Sequence, residues 1–212
     1  MATLATSDAQ SALRTGLRKL WADHAVWTRQ YIVAFASDGT DAGAAANRLL
    51  KNQEHIGNAI VPFYGQAAGA QFTNLLKQHI LIAVDLLTAA KVGDDAEFQR
   101  QDQRWSDNAM DLATFLSGAN PHWPKNDVYD LLGVHLKLTK DEAVARLTGN
   151  WDNDVVAFDD IFTEIMTVSD TLADGIIGQF PERFATTPTP APTMIPVAPQ
   201  RRGLARMFGR GR

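Results

Sequence analysis

The stretch that decides the fold runs from Leu49 to Leu87 and reads LLKNQEHIGNAIVPFYGQAAGAQFTNLLKQHILIAVDLL. Apolar residues recur at helical spacing on both sides of a short interruption that contains Pro62, Gly65 and Gly69. The phrase Leu-Leu-Lys followed by His-Ile occurs once in each half of the stretch. The stretch therefore predicts a helical hairpin, and the flanking sequence extends that prediction to the whole chain.

Residues before and after the hairpin show the same helical spacing. Between residues 8 and 37, the inward positions are separated alternately by four and three residues, which is typical of a helix packed in a bundle. These positions are Leu13, Leu17, Leu20, His24, Trp27, Tyr31 and Ala34. The spacing and its breaks predict helices at residues 8–37, 41–61, 66–92, 94–118, 127–136 and 139–180.

The boundaries of these helices follow from residue chemistry. Asp94 with Glu97, and Thr139 with Glu142, have the spacing of a capping box, in which the first side chain accepts a hydrogen bond from the backbone three residues later. Pro181 ends the last predicted helix because proline has no backbone N–H. Strand patterns are nearly absent and the loops are short. We therefore expect an all-α, antiparallel up-down helical bundle of five to six helices.

The composition limits the class of protein. The 212 residues contain no cysteine, which excludes disulfides, thiolate metal sites and cysteine nucleophiles. No apolar run reaches the ~18 residues of a membrane-spanning helix, and the N-terminus has no apolar signal core, so we expect a cytoplasmic protein. Residues 1–185 carry 15 basic and 24 acidic side chains. An acidic surface disfavours binding of nucleic acid.

The composition changes at residue 186. Residues 1–185 are predicted to be the bundle, and the proline- and threonine-rich residues 186–200 a disordered linker. Residues 201–212, RRGLARMFGRGR, are a basic peptide whose three apolar side chains would share one face if the peptide formed a helix. We predict that it docks to an acidic protein groove, a shell wall or an anionic membrane and so fixes the location of the bundle. A solubilising tail is the alternative, and the final Arg-Gly-Arg could also contact nucleic-acid phosphates. The candidate docking residues are Arg201, Arg202, Leu204, Arg206, Met207 and Phe208.

Three histidines are the candidate metal ligands. His24 and His79 fall on inward positions, and His55 lies beside an inward isoleucine. His24 precedes the first predicted turn by about 16 residues and His55 follows it by about 15, so antiparallel helices place them at similar heights. Similar counting adds Trp105 to this layer. Imidazoles suit zinc, iron, manganese or copper, so we predict a transition-metal site at His24, His55 and His79. The alternative is three ordinary histidines held by neighbouring groups. Acids near enough in sequence to join are Asp23, Glu54 and Asp85.

Acidic residues crowd the last predicted helix, and most of them fit a solvated face. Asp154 lies one turn from Trp151 and Phe158, both predicted inward, so a carboxylate doing acid–base chemistry is the alternative. Motifs of other enzymes are missing: the phosphate loop, the Gly-x-Ser-x-Gly elbow and the zinc-deaminase signature do not occur. The acids concerned are Asp152, Asp154, Asp159, Asp160 and Glu164.

Three runs of sequence resemble a poorly characterised group of small bacterial all-helical proteins. They are LWADHAVWTRQYI at 20–32, LLKNQEHIGNAIVPFYG at 49–65 and ANPHWP at 119–124. The resemblance covers about residues 17–184. It implies a helical bundle and transfers no site residue. Haemerythrin and ferritin-like bundles are functional analogues only, because their His-x-x-x-His and Glu-x-x-His pairs are missing here.

These observations favour a non-catalytic helical bundle that binds a small ligand, a metal ion or a protein partner. In this hypothesis the basic C-terminal peptide decides where the bundle is located, and the location is cytoplasmic, with membrane or assembly association through the peptide. The alternative hypothesis is a metalloprotein with histidine and carboxylate ligands and redox or hydrolytic activity in the bundle core.

Overall fold

The computed structural model describes residues 8–185. No strand occurs within that range, so the predicted all-α bundle is confirmed. No helix in the described part of the chain is long and apolar enough to cross a membrane. The predicted linker and docking peptide, residues 186–212, lie outside the described residues. The elements are α1 (Asp8–Ala36), α2 (Ala42–Val92), α3 (Asp95–Ala119), α4 (Lys125–Leu147), α5 (Trp151–Gln179) and a short 3-10 helix (Pro181–Phe184).

Helix α2 consists of two helical halves that fold back on each other. The break lies at Gly65, whose φ of 83° and ψ of 169° are accessible almost only to glycine. Glu54 in the first half (42–64) accepts a hydrogen bond from Lys77 in the second half (66–92) at 2.7 Å. The predicted hairpin therefore exists, but its turn is at Gly65. The prediction that the helix at residues 41–61 ends before Pro62 is wrong. Proline removes one backbone hydrogen bond, but it does not force the chain to reverse.

The two halves of α2 cross where both carry glycine. A β-carbon added to Gly69 would lie 2.9 Å from the carbonyl oxygen of Gly57 and would overlap the side chain of Val61. One added to Gly57 would lie 2.7 Å from the carbonyl oxygen of Gly69 and would overlap the hydroxyl of Thr73. The missing side chains let the two backbones approach closely, which fixes the geometry of the hairpin.

Helices that follow one another in the bundle run in opposite directions. Between α1 and α5, Arg14 pairs with Asp174 and Arg29 pairs with Asp154, so residue numbers rise in one helix as they fall in the other. α1, the second half of α2 and α4 therefore all point one way. The corresponding contacts are Leu20–Asn52 and Trp27–Arg48 (α1 with the first half of α2), Leu75–Asn108 and Asp85–Arg104 (second half with α3), Ser106–Tyr129 and Asp102–Lys140 (α3 with α4), and His135–Glu164 and Arg146–Asp154 (α4 with α5).

The boundary between the last two long helices differs from the prediction of helices at 127–136 and 139–180. α4 continues through Thr139, whose hydroxyl donates to the carbonyl of His135 at 2.9 Å instead of capping a new helix. The turn comes later, at Gly149, which has a φ of 72°. Asn150 then caps α5 by accepting a hydrogen bond from the backbone of Asn153. A Thr-x-x-Glu pattern can thus also occur inside a helix. Gly149 is the better indicator of where α4 ends.

The corner between α3 and α4 closes one end of the bundle. Trp123 is buried and its indole N–H donates to the carbonyl of Thr171 at 3.1 Å. Asn120 donates to the hydroxyl of Tyr64, which in turn donates to Gln179 at 2.8 Å. The Asn-Pro-His-Trp-Pro corner therefore ties α3 to α5 and to the turn of α2.

Candidate functional site

Three buried histidines meet at the centre of the bundle. His24 comes from α1, His79 from the second half of α2 and His135 from α4, the three helices that point the same way. The ring of His135 lies 5.6 Å from that of His24 and 6.2 Å from that of His79, measured between centroids. We call these residues the histidine layer.

Each ring of the histidine layer is held at Nδ1 by a side chain from an opposing helix. The partner atoms are Gln53 Nε2 for His24 at 3.2 Å, Asn108 Oδ1 for His79 at 2.9 Å and Glu164 Oε2 for His135 at 2.9 Å. In all three pairs the partner follows its histidine by 29 residues. The histidines themselves are 55 and 56 residues apart. The bundle is therefore three helical hairpins, each contributing one histidine and one partner.

Burial keeps two of these imidazoles neutral. It lowers the pKa of His24 well below its ordinary value, and the nearby His135 and His79 add to the effect. It also lowers the pKa of His79 to about 3, again with a contribution from His135. Two cavities of about 20 Å³ each are lined by mainly apolar side chains together with His24, His79 and His135. Such a space holds one water-sized molecule and excludes an organic substrate.

His55 does not join this layer, contrary to the prediction. Its side chain is exposed, while the neighbouring Gln53 points inward and contacts His24. Counting residues from a turn fixes the height of a side chain but not its direction around the helix, and that is why the wrong residue was chosen. The prediction for Trp105 has the right height, since its ring lies 5.0 Å from that of His79.

His135 is the functional residue that sequence reasoning missed. The incorrect break at residue 139 placed it at the end of a short helix. A signal was nevertheless present, because Leu-x-x-x-His occurs at His24, His79 and His135 with nearly constant spacing. The acids suggested as partners instead form surface ion pairs: Asp23 with Lys19 and Arg48, Glu54 with Lys51 and Lys77, and Asp85 with Arg104.

Within residues 8–185, no group of three or more histidine and acidic side chains is placed so that it could hold a metal ion. The predicted set of His24, His55 and His79 is divided between the core and the surface. The predicted metal site therefore has no counterpart in the described structure.

A second buried polar cluster links α1, α4 and α5. Arg29 donates to Glu142 at 2.6 Å and to both carboxylate oxygens of Asp154 at 3.0 and 2.9 Å. Arg146 also donates to Asp154, at 3.2 Å. Burial raises the pKa of Glu142 to about 7, although the hydrogen bond from Arg29 opposes this. Asp154 is thus an ion-pair partner in the core, and the prediction of a solvated face is wrong for it and for the buried Glu164.

The outer surface of α5 carries exposed apolar side chains. Trp151, Val155 and Phe162 are 58%, 53% and 38% exposed, and the half-buried Phe158 lies between them on the same flank. The prediction that Trp151 points inward is wrong because α5 begins at this residue, outside the packed region. We call this flank the α5 face. The exposed acids of the same helical turns are Asp152, Asp159 and Asp160.

Comparison of the chain with family models, with curated proteins and with solved structures found no match. The resemblance to small bacterial all-helical proteins stays a prediction.

Proposed function

We propose that this chain is a non-catalytic binding protein that docks a basic amphipathic segment on the α5 face. The observation that carries the proposal is the exposed apolar flank formed by Trp151, Val155 and Phe162. Side chains of this size at helical spacing are the usual anchors for a helix laid along a groove.

The charge around the α5 face selects a basic partner. Helix α5 has seven acidic residues and no lysine or arginine. Asp152 and Asp159 are exposed next to the apolar flank. A partner that offered apolar side chains with surrounding arginines would match both the shape and the sign of the charge.

Residues 201–212 of the same chain have this chemistry. Leu204, Met207 and Phe208 would share one helical face among five arginines. The length of chain is also sufficient. Phe162 lies about 26 Å along α5 from Gln179, whereas the 15 residues from 186 to 200 can extend to about 47 Å. We therefore propose that this peptide of the same molecule occupies the α5 face. A partner that displaces the peptide would then determine where the bundle is located.

Hydrogen exchange on the full chain tests this proposal. Docking should slow amide exchange within residues 203–208, because a bound helix protects its backbone. Val155→Ser combined with Phe162→Ser should remove that protection. The matched control is Val134→Ser, which changes a valine on α4 that is 49% exposed and should leave the protection intact.

Two results would contradict this proposal. In one, residues 203–208 exchange as fast as a free peptide in the unchanged protein; in the other, protection survives the double substitution at the α5 face. Protection that rises with protein concentration would assign the peptide to a second copy of the chain instead.

The alternative function is a histidine metalloprotein with redox or hydrolytic activity. The feature that favours it is the engagement of each ring at Nδ1, as in metal sites whose ligands are oriented by neighbouring side chains. Elemental analysis of untagged protein tests this alternative. A stoichiometric transition metal that disappears in His79→Gln would support it, and metal-free protein would exclude it.

A further inference from the structure

The three histidine–partner pairs share the same spacing, but their hydrogen-bond chemistry differs. Gln53 presents its amide nitrogen to His24, and the same nitrogen lies 2.9 Å from the carbonyl oxygen of Leu49 and 3.2 Å from Oδ1 of Asn52, so its two hydrogens are shared among three acceptors. Turning the amide over would bring its oxygen against these two oxygen acceptors. His24 Nδ1 must therefore accept a hydrogen bond, and its proton lies on Nε2.

The other two partners impose the opposite tautomer. Asn108 uses its nitrogen to donate to the carbonyl of Leu75 at 3.1 Å, so its oxygen faces His79 and accepts from Nδ1–H. Glu164 is a carboxylate and can only accept, so the proton of a neutral His135 also lies on Nδ1. When both rings are neutral, Nε2 of each keeps its lone pair.

We propose that the histidine layer is a binding site for one water-sized neutral molecule, which accepts a hydrogen bond from His24 Nε2–H and donates hydrogen bonds to Nε2 of His79 and of His135. Water has this combination of one acceptor and two donors. The two cavities whose lining includes His24, His79 and His135, at about 20 Å³ each, are large enough for it. A buried water with three polar partners is well satisfied.

The same tautomers disfavour a metal ion at the layer. A metal bound by three imidazoles requires a lone pair from each ring, and His24 offers a proton instead. Gln53 is therefore the residue that decides the ligand class, although it would not touch the ligand.

Nitrogen NMR of histidine-labelled full-length protein tests this assignment. The 15N shifts should show His24 protonated on Nε2, and His79 and His135 protonated on Nδ1. His24 protonated on Nδ1 in the unchanged protein would overturn the proposal. This readout needs no variant to fold.

Discussion

At the scale of single residues, burial makes chemically identical side chains behave differently. His79 lies in the core, and loss of hydration of the imidazolium lowers its pKa to about 3 from the ordinary 6.5. Between these two values the unfolded chain binds more protons than the folded one, so stability falls as the pH decreases through that window. His24 has a lowered pKa for the same reason and acts in the same direction.

Replacing His79 by glutamine should make the folded protein less sensitive to acid. The glutamine amide does not titrate and can still donate to Asn108, so the loss of stability between pH 6.5 and pH 5 should shrink by about 2 kcal/mol. Urea unfolding at the two pH values measures this difference. His55→Gln is the matched control, because His55 is exposed. If the two substitutions had equal effects, His79 would not be buried as described.

The sequence predicts some of these residues and not others. The spacing of apolar residues correctly places His24 and His79 on inward positions, because burial follows helical periodicity. It does not identify Gln53, Asn108 or Glu164 as their partners, since these pairs connect separate helices. Polar residues at buried positions also oppose the hydrophobic pattern, so a reading of that pattern alone assigns them to the surface.

At the scale of elements, glycine controls the hairpin of α2. Gly57 and Gly69 allow the two halves to cross, and Gly65 adopts the backbone conformation of the reversal. The sequence predicts this hairpin, because its apolar periodicity is interrupted by proline and glycine. The predicted helix boundary near Thr139 is wrong, because contacts with another helix favour a continuous α4. Glu142, the second residue of the supposed capping box, binds Arg29 of α1 instead.

Gly69→Ala should destabilise the protein by about 2 kcal/mol, since the added methyl group would force the crossing helices apart. Gly133→Ala is the matched control, because a β-carbon there meets nothing within 4 Å. Because Gly133 lies in a helix interior, Gly133→Ala should instead stabilise the folded protein by about 0.5–1 kcal/mol. Thermal unfolding of the two variants would reveal opposite shifts. Stabilisation by Gly69→Ala would rule out the close crossing.

At the scale of the whole molecule, three hairpins meet at one layer. The pairs His24–Gln53, His79–Asn108 and His135–Glu164 repeat with a separation of 55 or 56 residues. The short echoes of Leu-Leu-Lys and His-Ile in the sequence hint at this repeat but place it out of phase. Each hairpin diverges outside its Leu-x-x-x-His core, so the three-part organisation becomes visible only in three dimensions.

Proton–proton NOEs between histidine rings test the central claim, that the three hairpins converge on the histidine layer. In histidine-labelled protein, the ring protons of His135 should show cross-peaks to those of His24 and of His79, because the ring centroids are 5.6 and 6.2 Å apart. The exposed His55 should show none. A His135 ring without contacts to the other two, or a His55 ring that has them, would contradict this arrangement of the bundle.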